Sequence, residues 1–246
     1  MIRWVWAFVD RPAAGFEEAA RFWAAATGAS VSERRGQDGE FATLLPPGGA
    51  DPCVKVQGVR EGAGGAHVCL AVEDVAALVA RAVSCGAAVV AEHSSHTVLS
   101  SPAGQPFCAV PWKGETTRPE ESGGIRLDQV CIDVPPDAYE AETEFWAGLT
   151  EWRVVPGQRS EFRTVRPNAP DEVPAPPVHL LLQRLDTPGP IGAHLDFACG
   201  GARAAARTAH ERLGASFVEE FRGWTVMRDP AGGLYCLTDR DPRTGS

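Results

Sequence analysis

Gly65 to Val90 reads GAHVCLAVEDVAALVARAVSCGAAVV, and Gly192 to Val218 reads GAHLDFACGGARAAARTAHERLGASFV. Each stretch opens on Gly-Ala-His, runs on as an apolar strand, passes into an amphipathic segment and leaves it at a Gly-Ala pair. Each is followed by a turn and a short strand, SSPAGQPFCAV at Ser100 to Val110 and RDPAGGLYCLT at Arg228 to Thr238. His67 and His194 are 127 residues apart, whereas Gly86/Gly214, Pro102/Pro230, Gly104/Gly232 and Cys108/Cys236 are all 128 apart, which places one added residue inside the helix. Five aligned landmarks define an internal repeat, and a repeat constrains the fold more than any local signal.

Outward from these stretches the repeat weakens. FWAAATGASV at Phe22 to Val31 matches FWAGLTEWRV at Phe145 to Val154 with an offset of 123, which pairs Trp4 with Gln129 only approximately. Lys113 to Gly124, KGETTRPEESGG, is charged, contains Pro and Gly, and lacks apolar residues, so it reads as a linker. In each half the local signals follow one order: an alternating strand, a helix, then three short strands. Asp74 is placed to cap a helix with Val75, Leu78, Val79 and Ala82 on its apolar face, and Gly86 sits where the chain must leave it. Asp229-Pro230-Ala231-Gly232-Gly233 reads as a turn, with Pro fixing the entry and the glycines allowing positive φ. Further helices are predicted near Phe16 to Ala26 and Pro136 to Leu149, and a Pro-rich loop over Val165 to Val178. The expected architecture is α+β, with four βαβββ modules in two tandem domains. The first spans 1–112 (modules 1–56 and 64–112) and the second 125–240 (modules 125–185 and 190–240), with linker 113–124. Sheets from consecutive modules are expected to close over a shared cavity suited to a small ligand.

Composition narrows the partners. With 246 residues, 44% hydrophobic and 22% charged, the chain has ample material for a core. A net charge of −9 without any basic run offers phosphates no surface, so nucleic acid is excluded as an expected partner. The start, MIRWVWAFVDRPAAG, has no cationic region before a long apolar run, so neither a signal peptide nor a membrane span is expected. Seven cysteines with no C-x-x-C pair fit buried thiols in a reducing cytoplasm. G-x-S-x-G, Walker and dinucleotide motifs are absent from the sequence.

The leading H-V-C-L and H-L-D-F strands, the Gly-Ala after each helix and the D-P-x-G-x-x-x-C turn resemble the glyoxalase/bleomycin-resistance/extradiol dioxygenase, or vicinal oxygen chelate, superfamily, over nearly the whole chain. Metal-using members place one ligand, usually His, Glu or Gln, on the leading and last strand of each module. That resemblance implies Trp4, His67 and Cys108 as the first half's positions, with Cys53, Lys55 or Gln57 near the fourth. Trp4 cannot bind a metal, so this half is expected to hold none. In the second half it implies Gln129, His194 and Cys236, with His179 and Gln183 sharing one face of the strand VHLLLQRL. Cys stands in both halves where such enzymes carry Glu, and a hard divalent ion prefers oxygen and imidazole.

The residues also carry ordinary structural readings. His67 and His194 serve equally as rim histidines bonded to backbone, Cys108 and Cys236 as packing thiols, and His93/His96 as a solvated hairpin. Asp196 faces either a ligand or a neighbouring strand. The expected function is binding of a small organic molecule in a cavity bounded by Trp4, His67, Cys108 and Asp196, as in drug- or metabolite-sequestering members, without a metal. The alternative is a lyase, isomerase or dioxygenase acting on vicinal oxygens through one divalent ion held by Gln129, His179, His194 and Cys236. Four modules suffice for a monomer, and a homodimer is equally compatible.

Overall fold

A computed structural model describes residues 1–168 and 175–245. The first half runs β1 (Ile2–Pro12), α1 (Phe16–Thr27), β2 (Ser30–Val31), β3 (Phe41–Leu45) and β4 (Val54–Val59). It continues with β5 (Gly65–Val72), α2 (Val75–Ser84), β6 (Ala88–Glu92), β7 (Thr97–Ser100) and β8 (Pro106–Pro111). The second half repeats the order as β9 (Arg126–Val134), α3 (Tyr139–Thr150), β10 (Arg153–Pro156), β11 (Phe162–Arg166), β12 (His179–Arg184), β13 (Gly192–Ala198), α4 (Arg203–Arg212), β14 (Ser216–Phe221), β15 (Trp224–Arg228) and β16 (Leu234–Thr238). The fold is α+β, four βαβββ modules in two glyoxalase-like halves.

Each half builds one eight-stranded sheet, ordered β2-β3-β4-β1-β5-β8-β7-β6 and β10-β11-β12-β9-β13-β16-β15-β14. Consecutive modules therefore join edge to edge into a single sheet, where two separate sheets closing on each other were expected. In three modules the leading strand pairs in parallel with the last: β1 with β4, β5 with β8 and β13 with β16. A helical crossover is what such parallel pairing requires.

Local chemistry sets the element ends. The Asp74 carboxylate accepts the Ala77 N–H at 2.9 Å and caps α2, as its sequence position predicts. The third helix starts at Tyr139, later than the predicted Pro136. Pro135 precedes Pro136, and a residue before proline is held out of the α region, so the double proline stays in the approach turn. In the repeated turns Ser101 N–H bonds Gln105 O at 2.9 Å and Asp229 N–H bonds Gly233 O at 2.8 Å. Of the two glycines in the second turn, Gly232 takes φ of 96° but Gly233 does not have positive φ. Gly233 is required by space, because a Cβ there would stand 2.0 Å from the Arg11 guanidinium carbon. Val165 and Arg166, read as loop, belong to β11, and Val165 is fully buried. Residues 169–174 of that loop lie outside the described residues.

Packing groups the chain into two compact units. One comprises Met1–Trp6, His67–Thr116 and Val130–Ala193, the other Ala7–Ala66, Thr117–Gln129 and His194–Ser246. In the first unit Phe107 meets Phe145 and Trp146 edge to face, with centroids at 5.8 and 5.2 Å. The Glu142 carboxylate beneath them accepts the Trp146 indole N–H at 3.0 Å and the Ala103 N–H at 2.7 Å. In the second unit Trp23 stacks on Phe197 at 5.8 Å, and its indole N–H bonds Asp229 at 2.9 Å. Arg11 closes on the same carboxylate, Nε and Nη2 each 2.7 Å from Oδ2. The linker packs too: Thr117 and Asp51 exchange two 2.8 Å bonds. Among the described residues, no helix is long and apolar enough to cross a membrane.

Candidate functional site

In the second module β5 alternates His67, Cys69 and Ala71 on one face with Val68, Leu70 and Val72 on the other. The parallel register sets Cys69 directly opposite Cys108 on β8. Phe107, next to Cys108, turns to the rings of α3, so Cys108 points to the opposite face of the sheet. The donor atoms of His67, Cys69 and Cys108 all lie within 4.8 Å of one another, and all three residues are buried. Hydrogen bonding from the Cys69 thiol, aided by the bond and charge of His67 and by the charge of His96, holds the Cys108 thiol down at about 5 against its burial. Burial alone does the reverse at Cys53, whose thiol is pushed up to about 12. His93 and His96 sit on the β6–β7 turn with stacked rings 4.5 Å apart, and the bond from His93 N–H to His96 O closes the hairpin read from sequence.

The fourth module repeats this arrangement with one exchange. His194 and Asp196 share a face of β13, and Asp196 is registered opposite Cys236 of β16. His194 Nε2 lies 3.4 Å from Cys236 Sγ and 3.4 Å from Asp196 Oδ1. Asp196 Oδ2 is 3.6 Å from Arg240 Nη1, while Arg240 Nη2 donates to Asp128 at 2.6 Å. Asp196 is buried, and its Oδ1 accepts no hydrogen bond among the described residues. An oxygen of that kind, beside an imidazole and a thiol, fits a cation, whereas Arg240 on the other oxygen already supplies positive charge.

Of the second-half metal positions implied by resemblance, Gln129, His194 and Cys236 belong to one compact unit and His179 to the other. The structure brings His194 and Cys236 together. Gln129 is buried on β9, and His179 opens β12 half-buried. Gln183, further along β12, has Oε1 at 3.7 Å from the Cys131 thiol. Trp4 is buried on β1, as is Trp6 two residues on. Carrying the helix offset of 123 back along the strands matches Gln129 with Trp6, correcting the approximate pairing with Trp4. Asp196, left undecided by sequence, is the acid of the second set. Cys69 was missed, although its place two residues after His67 put it on the same strand face. A cavity of about 40 Å³ beside Thr27, Leu44, Cys53 and Phe197 is lined by none of the expected cavity residues, and it has room for water rather than for an organic guest.

Residues 6–110 and 129–238 each match the family profile described as a glyoxalase-like domain. The chain belongs to this glyoxalase-like family, within the vicinal oxygen chelate superfamily. Similar solved structures include the Mn(II)-bound glyoxalase from Novosphingobium aromaticivorans, with 17% identity and TM-score 0.64 over 100% of this chain and 85% of that one. The 2,3-dioxygenase LapB from Pseudomonas sp. KL28 shares 13% identity with TM-score 0.66, over 95% and 90% of the two chains. The 2,2',3-trihydroxybiphenyl 1,2-dioxygenase from Sphingomonas wittichii shares 13% with TM-score 0.61, over 97% and 90%. At these identities the likeness is one of fold. No curated protein sequence matches the chain.

Proposed function

We propose that the protein binds a small organic molecule on the sheet face of the first half that carries Trp4, His67 and Cys108, that Asp196 marks the equivalent face of the second half, and that no metal is required to hold it. The supporting observation is a compact, largely buried polar set in each half: His67, Cys69 and Cys108, with donor atoms within 4.8 Å of one another, in one, and His194 at 3.4 Å from both Cys236 and Asp196 in the other. A few convergent polar groups among apolar and aromatic walls are what orient a guest. Both last strands lack the carboxylate that anchors a hard ion, and Trp4 and Trp6 bring large aromatic surfaces to β1. A sequestering role in a reducing cytoplasm, as monomer or homodimer, follows from this reading.

Calorimetric titration of the chelator-treated protein with planar aromatic molecules, and with bleomycin for its planar bithiazole tail, is the test. One-to-one binding that survives metal removal and weakens at least about 10-fold in Trp4→Leu, with the fold intact by circular dichroism, is the expected result. Binding that appears only when a divalent ion is added counts against the proposal.

A second reading rests on Asp196. With His194 and Cys236 it supplies an oxygen, a nitrogen and a sulfur donor, and its Oδ1 has no hydrogen-bond donor among the described residues. An ion held there supplies Lewis-acid polarisation of vicinal substrate oxygens, the chemistry of a lyase, isomerase or dioxygenase. Arg240 opposes it, because its guanidinium already pairs with Asp128 and lies 3.6 Å from the other Asp196 oxygen.

A further inference from the structure

The superfamily resemblance implies a metal site that spans two modules, with ligands from both leading strands. Trp6, which matches Gln129, breaks that pattern in the first half. The second module nevertheless gathers three donors by itself. His67 and Cys69 are two residues apart on β5 and so share a face, and the parallel register brings Cys108 beside Cys69. No residue of β1 or β4 takes part. We propose that His67, Cys69 and Cys108 form a single-module site for a thiophilic d10 cation, zinc in the first instance, with its fourth coordination position open.

Two sulfurs bound to zinc at about 2.3 Å and set at the tetrahedral angle stand about 3.8 Å apart. The three donor atoms already lie within 4.8 Å of one another, so closing on an ion asks for small side-chain adjustments on a fixed backbone. Two thiols and one imidazole are a soft donor set, which selects zinc over manganese or magnesium. Three protein ligands with a vacant fourth position leave room for water or for a soft atom of a guest. Facing each other in register, the two cysteines are not joined by a disulfide, so both sulfurs remain able to ligate. The site goes beyond the organic-guest proposal and does not depend on it.

The probes are Co2+ and Zn2+ added to the full, reduced chain under argon. One Co2+ is expected to bind with a near-ultraviolet thiolate-to-cobalt band, and one equivalent of Zn2+ to displace it. Cys69→Ser and Cys108→Ser are each expected to reduce the band by about half and to weaken zinc binding at least 10-fold, beyond the loss typical of outer-shell changes. Cys85→Ser, outside the cluster, is expected to leave both unchanged. X-ray absorption at the zinc edge of the wild-type protein is independent of whether the variants fold, and it should count two sulfur and one nitrogen neighbours. A spectrum with no sulfur neighbours overturns the assignment. So does a cobalt band that survives the double substitution Cys69→Ser/Cys108→Ser, or one that is lost in Cys236→Ser instead. A failure here leaves the titrations with planar aromatics unaffected.

Discussion

The second and fourth modules differ at one donor position, where Cys69 in one stands in the place of Asp196 in the other. Histidine and the last-strand cysteine are common to both. The exchange turns a set of two thiols and an imidazole into one with a carboxylate, and the acidic version carries a neighbouring arginine, Arg240. The first and third modules differ in how their helix tryptophan is anchored. Trp146 bonds an acid on its own helix, Glu142, whereas Trp23 bonds an acid in the repeated turn, Asp229. At the equivalent places stand Ser101 for Asp229 and Ala19 for Glu142. One buried acid per indole is retained while its place in the chain has moved. The Asp229 version has acquired Arg11 as counter-ion, and burial pushes the Glu142 carboxyl up.

This comparison breaks most visibly at the anchors. Asp229→Ala leaves the Arg11 guanidinium buried and unpaired and is expected to cost about 3–5 kcal/mol of unfolding free energy. Glu142→Gln removes a desolvated charge but keeps only one of the two acceptors, setting its NH2 against an N–H donor, and is expected to cost about 1–2 kcal/mol. Urea denaturation of the two variants checks the difference, and equal losses would refute the unequal roles.

The aromatic clusters give the next effect. His210 occupies the position of Ala82, and its Nδ1 lies 3.0 Å from the Tyr235 hydroxyl. Burial pushes the His210 imidazole down to about 4 from 6.5. A base with a lowered folded pKa favours folding when neutral. Its share of stability is therefore complete above pH about 6.5 and is lost as pH falls towards 4, by about 3 kcal/mol in all. Denaturation at pH 7 and pH 4 should show that loss in the wild type and its absence from the His210→Ala difference.

The donor exchange itself provides a smaller effect. Asp196→Cys copies the second module into the fourth while Arg240 keeps Asp128, so zinc affinity at that module is expected to rise by at least about 10-fold. A second cobalt equivalent with a thiolate band reads it out. An unchanged stoichiometry would show that the common histidine and cysteine do not decide the site.

Much of this was legible in the sequence because it lies in short-range patterns. The His-to-Cys landmarks located β5, β8, β13 and β16, and Asp74 and Gly86 bracketed the second helix. Joining of modules into one sheet was not legible, since edge pairing between β1 and β5 leaves no local mark. Arg11 with Asp229 and Gly233 was equally hidden. Three residues from distant segments make one buried anchor, and Gly233 looked like a turn glycine although it makes room for a guanidinium. Cys69 was visible by strand alternation but concealed among apolar neighbours, where a thiol reads as packing. Its value as a donor depends on the β5–β8 register, a long-range fact.

The central claim is that this chain keeps the glyoxalase-like fold without a hard-metal centre in the half that most resembles one. Calorimetric titration of Mn2+ into the wild-type protein and into His194→Ala tests it most directly. The account predicts weak heats in the wild type, unchanged by the substitution, because Arg240 occupies the charge of Asp196. Tight one-to-one Mn2+ binding that disappears in His194→Ala would contradict it and make the metal-dependent enzyme the better reading.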